Sequence, residues 1–243
     1  LWDRAQTFDS LKPFLLEECY EVLEALDKGD YQGLAAELGD LLLQVFLQAQ
    51  VAREQGLFDI EQVAGLIAEK LERRHPHVFG EAQARTPAEV LELWRRLKGE
   101  ESNQYAAQSH LAGVPRALPA LQRAQKLQAR AAAVGLDWQS AQGALQQLQR
   151  EVEELRRAER EADGGRLSEE LGDLLFSVVN AARFLGLDAE SALRAACQKF
   201  ERRFRAVESL AQQAGQALDS LSAEELDRLW RQVKQNEDQG DQD

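Results

Sequence analysis

An all-α protein made of two copies of one helical domain is the fold class this sequence predicts, on three observations. Apolar residues fall at helical spacing along most of the chain, and β-branched runs are rare. Helix starts and stops are well marked by Pro, Gly and capping residues. Four sequence blocks occur twice, in the same order.

The repeats set the domain organisation. Glu37-Leu38-Gly39-Asp40-Leu41-Leu42 returns as Glu170-Leu171-Gly172-Asp173-Leu174-Leu175, and Glu18 and Glu21 return at the same offset of 133 as Glu151 and Glu154. Lys70-Leu71-Glu72-Arg73-Arg74 returns 129 positions later as Lys199-Phe200-Glu201-Arg202-Arg203. Leu93-Trp94-Arg95-Arg96-Leu97-Lys98 returns 136 positions later as Leu229-Trp230-Arg231-Gln232-Val233-Lys234. The offset changes only between elements, as connecting loops of unequal length require. The expected layout is a first domain over 1–100, a linker over 101–118, a second domain over 119–236 and a flexible, acidic tail over 237–243. Each domain has an ordinary size of about 100 residues and about four main helices, a four-helix-type bundle.

Taken in order, the elements read as follows. Pro13 suits the first turn of a helix running to about Lys28, where Gly29 breaks it. A long helix follows over about 30–54. Asp59 and Asp188 are expected N-caps after Gly56 and Gly186. Thr86-Pro87-Ala88-Glu89 and Ser222-Ala223-Glu224-Glu225 match a capping box, each opening the Trp-containing helix of its repeat. Gly113, Pro115 and Pro119 mark the linker region. The Glu-Leu-Gly-Asp-Leu-Leu helices are apolar on most faces beyond their acids, which predicts burial in a bundle or against a partner subunit. Dimerisation through them would help to enclose two small domains.

Composition narrows the function. Hydrophobic residues make up 44% and charged residues 29%, the profile of a soluble globular chain. A net charge of −13 argues against nucleic acid or an anionic membrane as partner, and a small anionic substrate would need a cation to offset it. Cys19 and Cys197 form no CxxC pair, so neither a disulfide framework nor a structural zinc site is expected, and a reducing cytoplasmic setting fits. No apolar run reaches membrane-spanning length, and no secretory leader is visible. There is no GxxxxGK[ST], which excludes a P-loop nucleotidase.

The acids suggest a metal centre. Glu151 and Glu154 are three apart and share a helix face, and so do Glu170 and Asp173 on the next helix. If the two helices face each other antiparallel, four carboxylates converge. Repulsion at ~4 Å and an effective dielectric of 20 is about 4 kcal/mol per pair, so the cluster wants a cation. Oxygen-only ligands suit Mg²⁺ or Mn²⁺ rather than zinc. A lone Glu-x-x-Glu in a chain with 42 acids is ordinarily a solvated face. Here, however, the whole pattern occurs twice with 16 positions from Glu21 to Glu37 and from Glu154 to Glu170. A di-iron bundle would want Glu-x-x-His on two helices, and only Glu72 to His75 matches.

Basic runs complete a phosphate site. Lys199, Arg202 and Arg203 lie within about one and a half helical turns, with Lys70, Arg73 and Arg74 as their counterparts. Guanidinium forks and a lysine point charge suit polyphosphate oxygens; salt bridging to the many acids is the competing reading. Trp94 and Trp230 read as core anchors or as rings near a base. His75-Pro76-His77 reads as a helix-terminating turn, and Cys19 has no histidine pattern beside it for nucleophilic catalysis.

Taken together, the paired Glu-x-x-Glu and Glu-x-x-Asp, the KLERRHPHVFG and KFERRF runs and the opening Trp2-Asp3-Arg4-Ala5-Gln6-Thr7-Phe8 resemble the MazG nucleoside triphosphate pyrophosphohydrolases. The resemblance implies the tandem-domain form, an all-α MazG-like fold, homodimerisation and Mg²⁺ dependence, with Mn²⁺ a possible substitute. It implies hydrolysis of NTPs and dNTPs to NMP or dNMP and pyrophosphate, in nucleotide-pool cleansing or the stringent response. It makes the C-terminal half catalytic, with Glu151, Glu154, Glu170 and Asp173 as metal ligands and Lys199 and Arg203 as phosphate contacts. Lys126, Arg166 and Trp230 follow as substrate-binding candidates. A second candidate site holds Glu18, Glu21, Glu37 and Asp40 with Lys70 and Arg74. One departure stands out: the family's acid before the ligand pair is kept as Glu17 ahead of Glu18, but is Arg150 ahead of Glu151. The alternative is a helical scaffold or partner-binding protein that keeps the fold with weakened catalysis.

Overall fold

The computed structural model describes residues 6–80, 86, 89–90, 93, 109–161 and 164–240. Among them every regular element is helical, as expected. The chain divides into two compact units, Leu1–Tyr105 and Ala106–Asp243.

In the first unit, α1 (Phe8–Lys28) starts where Thr7 Oγ1 accepts the Ser10 N–H at 3.1 Å and Ser10 Oγ accepts the Thr7 N–H at 2.9 Å. This reciprocal cap starts the helix ahead of Pro13, which therefore lies in the second turn and not the first. The exposed end of the helix tolerates the hydrogen bond that Pro13 cannot donate. Gly29, at φ 68, closes α1 in the left-handed region that a side chain resists, its N–H returning to the Ala25 and Leu26 carbonyls. Asp30 then caps α2 (Tyr31–Glu54), and Asp59 caps α3 (Ile60–Arg74). His75 ends α3 with its Nδ1 2.8 Å from the Leu71 carbonyl oxygen, and Pro76 opens the single turn α4 (Pro76–Phe79). The histidines thus make the expected terminating turn. The Glu89 N–H reaches Thr86 Oγ1 at 3.3 Å, while Trp94 and most of its helix lie outside the described residues.

The second unit holds α5 (Ala120–Ala133), α6 (Ala141–Glu161), α7 (Gly164–Phe184), α8 (Ala189–Gln213), a 3₁₀ turn (Leu218–Ser220) and α9 (Ala223–Gly240). Asp188 caps α8 through the Ser191 N–H at 2.8 Å. Ser222 and Glu225 form the expected reciprocal cap ahead of α9. α6 packs along α7 and α9 along α8, while α5 lies on both α7 and α8. Gln125 fastens α5 to the α7–α8 turn, donating to the Leu187 carbonyl at 3.2 Å and accepting the Ala189 N–H at 3.0 Å. The last helix extends to Gly240, and Glu237 within it is tied to arginines of α8.

Among the described residues the buried apolar core of each unit is small: Leu11, Ala25, Ala49, Val51 and Ala52 in the first, and Ala and Val in the second. The large apolar residues of the repeated helices, Leu38, Leu42 and Phe46 on α2 and Leu171, Leu175 and Phe176 on α7, remain exposed in the single chain.

Candidate metal centre

Both units build the same helical hairpin. Glu154 stands seven residues before the end of α6 and Glu170 six residues after the start of α7. Glu21 stands seven before the end of α1 and Glu37 six after the start of α2. Nearly equal distances from the facing helix ends place side chains opposite each other when the helices return antiparallel. One carboxylate oxygen from each of Glu151, Glu154 and Glu170 lies within 4.8 Å of the others, and so do those of Glu18, Glu21 and Glu37. Three of the four expected acids therefore converge in each unit. Asp173 and Asp40, one turn further along, are exposed and lie outside these triads, although the charge of Asp40 still reaches Glu18.

The electrostatics favour a cation. Glu151 is 7% exposed and Glu170 9%, so two carboxylates are withdrawn from water side by side. Buried charges require a partner or a metal. Gln147 donates to Glu151 at 2.5 Å, and Arg166 donates from Nε to Glu170 at 3.3 Å while its Nη1 reaches Glu161 at 2.5 Å. One guanidinium shared between Glu161 and Glu170 leaves the glutamate set strongly negative. In the first unit, burial pushes the Glu18 carboxyl above its ordinary value, with the charges of Glu21 and Asp40 adding to the effect. Gln44, at the position of Ser177 in the repeat, approaches Glu18 at 3.5 Å, and its own Oε1 is buried without a partner. An all-oxygen set of this charge fits a hard divalent cation.

The basic residues separate into two groups. Lys199, Lys126 and Lys70 are exposed, and none forms an ion pair among the described residues. Arg203 is instead held by Glu237 at 2.7 Å, beside Arg202 on the same carboxylate at 3.1 Å. Arg166 lies among the acids, and Arg74 is half-buried at the end of α3. Trp230 packs its ring 5.4 Å from Phe200, an anchor between α9 and α8. Arg150 turns its guanidinium over Trp138, 5.8 Å from the ring centroid.

Spacing alone did not reveal a cavity of about 470 Å³ in the second unit, walled by Leu127, Gln128, Trp138, Phe176, Asn180 and Arg183. Gln128 donates to the Phe176 carbonyl at 2.8 Å and leaves its Oε1 buried and unpaired. Arg183 is held by Asp137 and donates to Asn180 Oδ1 at 2.8 Å. Ser177, one turn beyond Asp173 on α7, is buried. The one sequence clue to the cavity was Asp137-Trp138, an aromatic set between two helices outside every repeated block.

A family model described as the MazG nucleotide pyrophosphohydrolase domain matches residues 6–79 and 139–207. The chain belongs to the MazG family. Each matched MazG segment spans one glutamate triad and one basic run, whereas α9 lies beyond the second segment. An Escherichia coli (strain K12) protein named nucleoside triphosphate pyrophosphohydrolase is 47% identical over 97% of this chain and 90% of its own length. A Thermotoga maritima protein named nucleoside triphosphate pyrophosphohydrolase/pyrophosphatase MazG is 44% identical over 96% of this chain and 88% of its own length. The tandem MazG reading thus holds over nearly the whole sequence.

Proposed function

We propose that this chain hydrolyses nucleoside triphosphates and deoxynucleoside triphosphates to the monophosphate and pyrophosphate, with Mg²⁺ bound at the second unit's glutamates. The carrying observation is the triad of Glu151, Glu154 and Glu170 on the α6–α7 hairpin, in a chain 47% and 44% identical to relatives named for this activity. Glu151, Glu154 and Glu170 would hold the cation, with Asp173 one turn away. When bound, it supplies charge neutralisation and acidifies water for attack on phosphorus. The chain's own groups do the rest. In this reading Glu154 takes the proton from the attacking water. Lys199 and Arg203 offset charge on the departing pyrophosphate.

The cavity beside Trp138 is our candidate for the nucleoside. Phe176 stands six residues beyond Glu170 on α7, about 9 Å along the axis, the reach from an α-phosphate to a base. Aromatic and aliphatic walls with one unpaired acceptor, Gln128 Oε1, suit a planar ring carrying an N–H.

The exposed leucines and phenylalanines of α2 and α7 support a homodimer, since apolar faces of this kind on small-cored units mark an interface. Among the described residues, no helix is long and apolar enough to cross a membrane, and both cysteines are free thiols. We place the chain in the cytoplasm, acting on the nucleotide pool. Incubation with ATP and Mg²⁺, followed by chromatography of the nucleotide products, tests the reading: AMP is expected, and ADP would reject it.

A further inference from the structure

We infer that Glu237 is a positioning residue for nucleotide binding, holding the Arg203 guanidinium with its terminal amino groups free to meet a polyphosphate. The inference rests on the reading above, in which Arg203 contacts the substrate's phosphates, and extends it to a helix outside the matched family segments.

The geometry carries it. Glu237 divides its two carboxylate oxygens between neighbouring arginines of α8: Oε1 accepts from Arg202 Nε at 3.1 Å and Oε2 from Arg203 Nε at 2.7 Å. Each guanidinium is engaged through Nε, and among the described residues neither Arg202 nor Arg203 makes a hydrogen bond through its Nη groups. An arginine has five N–H donors in a rigid fork, so a bond at Nε fixes the plane and leaves four donors for a second acceptor. The Arg203 side chain is only 19% exposed, which limits the other orientations open to it. Its pair is therefore not an ordinary surface bridge, whereas the Arg202 pair is.

The surroundings support placement over chance contact. Glu237 lies seven residues beyond Trp230, two helical turns on and so on the same face of α9. Trp230 packs against Phe200, three residues before Arg203 on α8. This aromatic contact and the buried Val233 hold α9 along α8, with Glu237 beside the basic run. The two guanidinia hold the Glu237 carboxyl below its ordinary value, so it stays ionised as an acceptor at neutral pH. The residue types recur in the sequence: at the offsets of their blocks, Arg203 corresponds to Arg74 and Glu237 to Glu101, which lies outside the described residues.

A carboxylate that orients an arginine reduces the ordering cost of binding. One that merely occupies it competes with the ligand. The two roles have opposite signs, and the full chain separates them. The probe is α,β-methylene-ATP with Mg²⁺, whose Kd by calorimetry needs no turnover, read alongside KM and kcat for ATP. Glu237→Ala should weaken binding of the probe about tenfold and lower kcat/KM by at least as much, since Arg203 also offsets charge on the departing pyrophosphate. Glu237→Gln should recover most of the loss, because the amide oxygen still accepts from Nε. In an Arg203→Ala background Glu237→Ala should add nothing, since it acts through that side chain. If Glu237→Ala does not fold, Glu237→Asp withdraws the oxygens by one methylene and should give an intermediate loss. Unchanged or tighter binding in Glu237→Ala, wild-type binding in Glu237→Asp, or an equal loss without Arg203 would each overturn the assignment. A wild type that binds the probe but releases no pyrophosphate rejects the proposed activity and leaves this test intact. A wild type that binds no probe rejects the positioning role.

Discussion

Glu151 and Glu170 converge across the α6–α7 hairpin, both almost wholly buried, and Glu154 completes the set. Mutual repulsion is the price of that geometry, and it should be visible in variants. Glu170→Ala with Asp173→Ala is expected to cut hydrolysis at least ~100-fold, about 2.7 kcal/mol in the barrier. Glu37→Ala with Asp40→Ala should leave much of the activity, although Arg150 replaces the acid that Glu17 provides in the first unit. Circular dichroism should be unchanged in both, since removing like charges does not weaken the bundle. A dead N-terminal variant with an active C-terminal one would reverse the assignment of the catalytic half. Acid titration gives a second residue-level test. Arg203 and Arg202 hold the Glu237 carboxyl below its ordinary value. Its contribution to stability is therefore complete above the ordinary carboxylate range and is lost as pH falls through the depressed value. Unfolding midpoints of wild type and Glu237→Gln should differ at pH 7 and converge in strong acid; a constant difference would contradict the linkage. The acidic spacings were legible because a three-residue step has a fixed meaning on a helix. Gln147 and Gln44 were not, because a glutamine near a carboxylate has no spacing signature, and the Arg203–Glu237 pair joins residues from different helices.

At the level of elements, the helix boundaries were written in local chemistry. Asp30, Asp59, Asp188 and Ser222 each satisfy a backbone N–H that the first turn leaves open. Pro13 misled because proline is a positional preference, while the Thr7–Ser10 cap is a pair of hydrogen bonds. The cavity beside Trp138 was hidden for another reason. It forms where α5, α7, the segment before α6 and Leu111 ahead of α5 meet, and no single periodicity encodes a meeting of four segments. Replacing Asp188 by Ala should cost about 1 kcal/mol, lowering the urea midpoint without changing the slope of the transition. An unchanged midpoint would mean that Gln125, which also ties this turn through Ala189 N–H, holds it alone.

At the level of the whole molecule, each unit repeats one hairpin, one triad and one basic run, with apolar residues of its acidic helix uncovered. The duplication was legible from the four repeated blocks, and the family match covers both copies. What covers α2 and α7 was legible only as a need, since an apolar face names no occupant. Light scattering at micromolar concentration should give twice the chain mass of 27.3 kDa, and a monomer with full activity would contradict the dimer. The most direct test of the central claim is the identity of the products formed from ATP by the full chain with Mg²⁺. AMP and pyrophosphate are expected in equal amounts, with no activity when the cation is chelated. ADP and orthophosphate, or AMP formation that survives chelation, would contradict it.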